Sequence, residues 1–145
     1  MKKQNAKDYE YSDEILVLPV LSEPAAFYGY LGRTSAAYLL QQLIHTIGLN
    51  DDLIAGWLNI TTRTFRNYKT KNTEVKPNTK EHIAAILALY DHGLEVFSDK
   101  KQFEAWLTLE NPLLDYHSPS DFLNTISGIQ FIDSRLTAME FGENV

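Results

Sequence analysis

The 145-residue chain contains no cysteine. That excludes disulfides and thiolate metal sites, and it agrees with a reducing compartment. No apolar run approaches the length of a membrane span. The start Met1-Lys2-Lys3 imitates a signal peptide, but Asp8, Glu10, Asp13 and Glu14 precede the short run Ile15–Leu18, and Pro19 interrupts it. The chain is therefore expected to be unprocessed and cytoplasmic. No segment alternates polar and apolar residues with period two, so no sheet is expected. Internal repeats and enzyme motifs are also missing. The four histidines, His45, His82, His92 and His117, lack the four-residue spacing of a helical metal pair. Neither catalysis, a metal nor a cofactor is expected. Ser118 reads as a helix cap rather than a nucleophile.

What is present is helical. Met1–Arg33, with Pro19, Pro24, Gly29 and Gly32, reads as an irregular arm. Thr34 or Ser35 caps a first helix with Tyr38, Leu39, Gln42, Leu43 and Ile47 at helical spacing, ended by Gly48. Asn50 or Asp51 caps a second, with Leu53, Ile54, Trp57 and Leu58. Thr61 caps a third, with Phe65 and Tyr68 inside. Asn72–Asn78 reads as a loop. A long helix opens at Thr79 and carries Ile83, Ile86, Leu87, Tyr90, Leu94 and Phe97 on one face. Asp99 and Gln102 resemble a capping box for a helix holding Phe103, Trp106 and Leu107, which Asn111-Pro112 ends. A short helix Pro119–Ser127, capped by Ser118, is expected to stop at a left-handed Gly128. The last helix then runs from about Ile129 to Phe141, with Ile132, Leu136 and Met139 inward, and Gly142 ends it. Trp57 and Trp106 read as core anchors.

The net charge of −6 argues against a generic nucleic-acid binder, but the charge is segregated. Residues 1–60 carry net −3, residues 61–80 net +5, and residues 81–145 net −8. The basic segment coincides with a helix-turn-helix pattern across Gly48–Lys69: two short helices, a tight turn, apolar anchors Leu53, Trp57, Ile60 and Phe65, and a polar second helix. Thr62, Arg63, Arg66 and Asn67 would face outward to base edges, and Lys69, Lys71 and Lys76 would hold phosphates. A basic, solvated helix pair is the simpler alternative.

From Gly48 to Gly142 the chain also resembles the Xre/MbcA/ParS antitoxins. The resemblance rests on Gly48-Leu49, Ile60-Thr61, Arg63-Thr64-Phe65, the junction Val96-Phe97-Ser98-Asp99, and Trp106-Leu107. It continues through Asn111-Pro112-Leu113-Leu114, Pro119-Ser120-Asp121-Phe122-Leu123, Thr125-Ile126-Ser127-Gly128 and Met139-Glu140-Phe141-Gly142. Two departures stand out: Asp115-Tyr116 replaces the family's Gly-Gly, and Ser98 replaces a junction glycine.

The arm at 1–33 lies outside the resemblance, which implies an all-α protein with an Xre-like helix-turn-helix domain at 34–97 and a toxin-binding domain at 98–145. It implies a RES-domain, NAD-consuming toxin as partner, blocked at its active site by the C-terminal region, and operator double-stranded DNA as target of self-repression. The candidate DNA-binding residues are Thr62, Arg63, Arg66, Asn67, Lys69 and Lys71. The candidate toxin-binding residues are Arg135, Met139, Glu140, Phe141, Gly142, Glu143 and Val145, whose acidic members would approach basic groups that hold the NAD diphosphate. A frayed, solvated tail is the plainer reading of the same end. A homodimer is expected, since helix-turn-helix proteins read paired half-sites. A stand-alone regulator with a C-terminal dimerisation domain, or an interaction module without DNA binding, are the competing readings.

Overall fold

A computed structural model describes residues 24–71 and 74–142. Among these there are only helices: α1 (Pro24–Arg33), α2 (Ala36–Thr46), α3 (Asp51–Trp57), α4 (Thr62–Thr70), α5 (Pro77–Phe97), α6 (Lys100–Thr108) and α7 (Ile126–Glu140). Two 3₁₀ turns, Pro112–Leu114 and Pro119–Phe122, join α6 to α7. The all-α class is as expected.

The long helix α5 organises the fold. His82 to Tyr90 are all buried, so its middle is enclosed on every side rather than along one face. It packs against α7 most extensively, then α2, α6 and α1. Leu39, Leu43, Ile83, Ile86, Tyr90, Phe103, Ile129, Ile132 and Leu136 form one continuous core through it. The small Gly93 lets α6 approach. A Cβ there would lie 2.3 Å from the Phe103 ring, which stands edge-on to Tyr90 at 5.0 Å.

Three expectations need correction. The expected irregular arm 1–33 ends in a helix, because Pro24 opens α1 and Phe27, Tyr30 and Leu31 turn one face to the core. Lys80 Nζ donates to the Leu31 carbonyl at 2.6 Å and fastens α1 to α5. The rest of that arm, residues 1–23, lies outside the described residues. The long helix starts at Pro77 rather than Thr79, since proline suits a first helical turn whose N–H groups have no partner in the helix. The third correction concerns Gly128. The expected helix Pro119–Ser127 is a 3₁₀ turn ending at Phe122, and α7 begins at Ile126 under a Thr125 cap. Gly128 N donates to Thr125 Oγ1 at 3.0 Å, so Gly128 sits in the first turn of α7 and is no left-handed stop. It is small for another reason: a Cβ there would fall 1.8 Å from the Phe122 carbonyl oxygen.

Candidate functional site

Helices α3 and α4 form the helix-turn-helix. Asn50 Oδ1 accepts from Leu53 N at 2.9 Å, and Thr61 Oγ1 accepts from Thr64 N at 3.1 Å, so both expected caps are made. The turn between them passes through Asn59 at φ 56°, a conformation asparagine tolerates better than most L-residues. Asn59 Nδ2 donates to the Asn124 carbonyl at 2.8 Å, tying this turn to the segment before α7. Trp57, Leu58, Phe65 and Tyr68 are buried, and Leu53 and Ile60 pack beside them.

The outward face of α4 is less basic than its sequence. The Asp51 carboxylate accepts from Lys69 Nζ at 2.7 Å and pairs with Arg66 Nε at 3.4 Å. These contacts, the Lys69 hydrogen bond foremost, hold the Asp51 carboxyl below the usual carboxylate range. Thr62 Oγ1 donates to Asp52 Oδ1 at 2.6 Å. Half of the six candidate DNA-binding residues are therefore engaged by the carboxylates that open α3. Lys69 Nζ also lies 5.2 Å from the Phe65 ring centroid. Arg63 and Lys71 are exposed, and Asn67 is half-buried. Sequence reading missed the pairing because Asp51 lies fifteen and eighteen residues from its partners and Asp52 ten from its own.

The second candidate face is the end of α7. Arg135 and Met139 are half-buried, and Met139 packs against the core. Phe141 is 78% exposed. Gly142 turns the chain at φ 77°. Glu143 and Val145 lie outside the described residues. Glu140 does not project alone: His92 on α5 bridges Glu140 (Nε2 to Oε1, 2.6 Å) and Asp133 (Nδ1 to Oδ1, 2.7 Å). Both ring nitrogens face carboxylates, which suits the doubly protonated imidazolium. Burial works against that charge, but the bonds and charges of Asp133 and then Glu140 outweigh it, and the His92 pKa is raised. The faint signal for this bridge was the seven-residue spacing of Asp133 and Glu140, which puts both on one face of a helix. His82, ten residues earlier on α5, is buried and lies 2.7 Å from the Leu123 carbonyl. No group of three metal-ligating side chains occurs among the described residues.

Glu104 joins the two regions. Its carboxylate accepts from Tyr90 Oη at 2.8 Å and from Gly48 N at 3.0 Å, so the residue that opens the helix-turn-helix is held by α6.

An all-helical fold with a helix-turn-helix against a C-terminal helical unit defines the class: a small all-α protein. Residues 92–142 match the family described as the antitoxin Xre/MbcA/ParS C-terminal toxin-binding domain. That span runs from the end of α5 to the residue after Phe141. The fold is similar to that of a chain in the crystal structure of the M. tuberculosis MbcT–MbcA toxin–antitoxin complex, at TM-score 0.62 and 19% identity, covering 77% of this chain and 99% of that one. No curated protein matches the chain. The match over residues 92–142 lies within the span whose motifs resemble the Xre/MbcA/ParS antitoxins. No helix among the described residues is long and apolar enough to cross a membrane.

Proposed function

We propose that this antitoxin neutralises a RES-domain, NAD-consuming toxin by covering its active site with the C-terminal end, Arg135–Val145. The unit at 34–97 serves operator DNA as part of a homodimer, and the unit at 98–145 serves the toxin. The chain acts by binding, without chemistry of its own, in the cytoplasm. The observation that carries the reading is the toxin-binding match over 92–142 with Phe141 standing out of its end. An exposed aromatic beside a polar rim is the usual composition of an interface anchor.

Truncation is the direct test, and the structure sets where to cut. Removing the chain after Arg135 would delete the fully buried Leu136 and damage the core. A cut after Glu140, or Phe141→Ser, leaves the core whole. Either change should abolish rescue from growth arrest when the chain is co-expressed with a RES-domain toxin encoded beside it. Full rescue by both would refute active-site coverage by the tail. Failure of the unmodified chain to co-purify with that protein would favour the stand-alone regulator.

Repression makes a separate prediction. On a duplex from upstream of the chain's own reading frame, Arg63→Ala should weaken binding and flatten the salt dependence, by about 0.9 in log–log slope if one phosphate contact is lost. Asp51→Asn should do the reverse, because it frees Lys69 and Arg66 from their carboxylate. An affinity indifferent to both changes would leave an interaction module without DNA binding.

A further inference from the structure

Large apolar side chains that remain exposed are unevenly distributed. Among the described residues, Leu109, Leu113, Tyr116, Phe131 and Phe141 lie within 92–142, and Tyr28 lies outside. Single exposed apolar residues are ordinary, whereas a grouped set marks a contact surface. Leu109, Leu113 and Tyr116, each more than half exposed, belong to one short segment after α6.

That segment is held tightly by its own backbone. Asn111 Oδ1 accepts from Leu113 N at 2.9 Å, and the Asn111 carbonyl accepts from Leu114 N and Tyr116 N at 2.9 and 3.0 Å. Asn111 N donates to the His117 carbonyl at 3.1 Å and closes the loop, while Leu114 is buried beneath it. Asp115 and Tyr116 are both left-handed, at φ 52° and 64°. Such residues are strained, a bulky one more than an aspartate. Tyr116 is 67% exposed, so packing returns little of that cost. Strain held at an exposed aromatic points to a use for the ring outside the chain. The surface continues through His117, which stands edge-on to Phe122 at 6.4 Å, and Phe122 meets Phe131 at 5.3 Å.

The geometry points to the Leu109–His117 loop as a second docking surface for the toxin, apart from the C-terminal tip, with Leu113 and Tyr116 entering an apolar recess of that partner. The inference rests on the toxin-neutralising reading above. The toxin is the occupant because the exposed apolar set is concentrated in the matched toxin-binding domain. A second copy fits poorly: a two-fold contact through this loop would bring the acidic Glu110 and Asp115 of each copy into one small interface. The same carboxylates suit a basic rim on the partner. Because the loop is already ordered, binding spends little entropy on it.

Two variants test this, with binding to a RES-domain toxin encoded beside the chain read by calorimetry, and with melting and light scattering of the chain alone. Leu113→Asp should leave the melting temperature nearly unchanged and weaken toxin binding roughly thirtyfold, the effect of losing a central anchor. Tyr116→Gly relieves the left-handed strain, so it should raise the melting temperature by a few degrees while binding falls about tenfold. A purely structural residue would move stability and affinity together, not in opposite directions. Binding within twofold of the unmodified chain for both variants overturns the second surface and leaves toxin neutralisation standing. A loss of dimer in Leu113→Asp with toxin affinity retained also overturns it, assigning the face to self-association. If the unmodified chain does not bind the toxin, both readings fall together.

Discussion

The helix-turn-helix and the segment from Ser98 to Gly128 turn their corners by different means. The first uses Asn59 at its one left-handed position, and three of its outward polar side chains, Thr62, Arg66 and Lys69, are engaged by Asp51 and Asp52. The second uses Ser98, Asp115 and Tyr116 at left-handed positions, two 3₁₀ turns, and a glycine wedged under a carbonyl. One region is relaxed and shows partly neutralised charge. The other stores strain and shows apolar rings. Charge that is internally paired can be released by a competing polyanion, whereas a strained apolar loop offers a fixed shape. Under the proposed function, the two faces suit two kinds of partner.

The largest expected effect comes from adding one carbon to the second region. In Gly128→Ala the new methyl meets backbone at 1.8 Å, and the 3₁₀ turn at Phe122 or the start of α7 must move. A loss of about 3 kcal/mol is expected in urea unfolding, at the upper end for overpacking. A loss below about 1 kcal/mol would mean that the turn is compliant, and the contrast between the regions would weaken.

Relief of strain comes next. Ser98 ends α5 at φ 56°, so Ser98→Gly should stabilise by about 1 kcal/mol. Asn59→Gly should gain nothing, because it forfeits the 2.8 Å bond to the Asn124 carbonyl at a position asparagine already tolerates. Equal gains at both positions would erase the difference between relaxed and strained turns. In the relaxed region, Gly56→Ala adds a methyl to α3 with nothing within 4 Å, and a gain of roughly 0.5–1 kcal/mol is expected. Thermal or denaturant melts of the three variants decide the matter.

The same contrast governs what could be read from sequence. Ser35, Asn50, Thr61 and Asp99 cap their helices as their residue types require, because capping is local chemistry. The core positions of α4 followed from spacing, whereas Leu40 in α2 and Ala84, Ala85 and Leu89 in α5 are buried off the expected faces. Gly128 misled because a glycine after a short apolar run ordinarily ends a helix, whereas here it is needed by a carbonyl seven residues from the expected helix start. Pro24, Gly29 and Gly32 read as breakers, yet burial of Phe27 against α5 outweighs their poor helix propensity. The departures from the family's glycines marked real features: Ser98, Asp115 and Tyr116 all take left-handed backbone. What stayed hidden was every pairing across long sequence separation, including Asp51 with Lys69, Glu104 with Gly48, and His92 with Asp133 and Glu140.

The smallest effect concerns that last pairing and the end of α7. The His92 pKa is raised in the fold, so the stability it contributes is fully present below the unfolded histidine value of 6.5 and is lost as pH rises through the higher folded value. His82 acts with the opposite sign. Burial lowers its pKa, despite the Leu123 carbonyl, so its contribution holds above 6.5 and is lost as pH falls through the lower folded value. The two histidines thus act in adjoining windows, His82 below 6.5 and His92 above it, and together they place a stability maximum near 6.5 in the wild-type profile. Comparison with His92→Gln isolates one arm. Asp91, whose carboxyl burial and then Glu95 push up and His92 draws down, also responds to that substitution. Between pH 6 and 8 the melting temperature of wild type should fall more than that of the variant, and amide exchange near Glu140 should speed up with it beyond the intrinsic pH effect. If the two proteins gave parallel profiles, His92 would not be holding α7 by charge, and the tip that carries Phe141 would owe its position to Met139 and Leu136 alone.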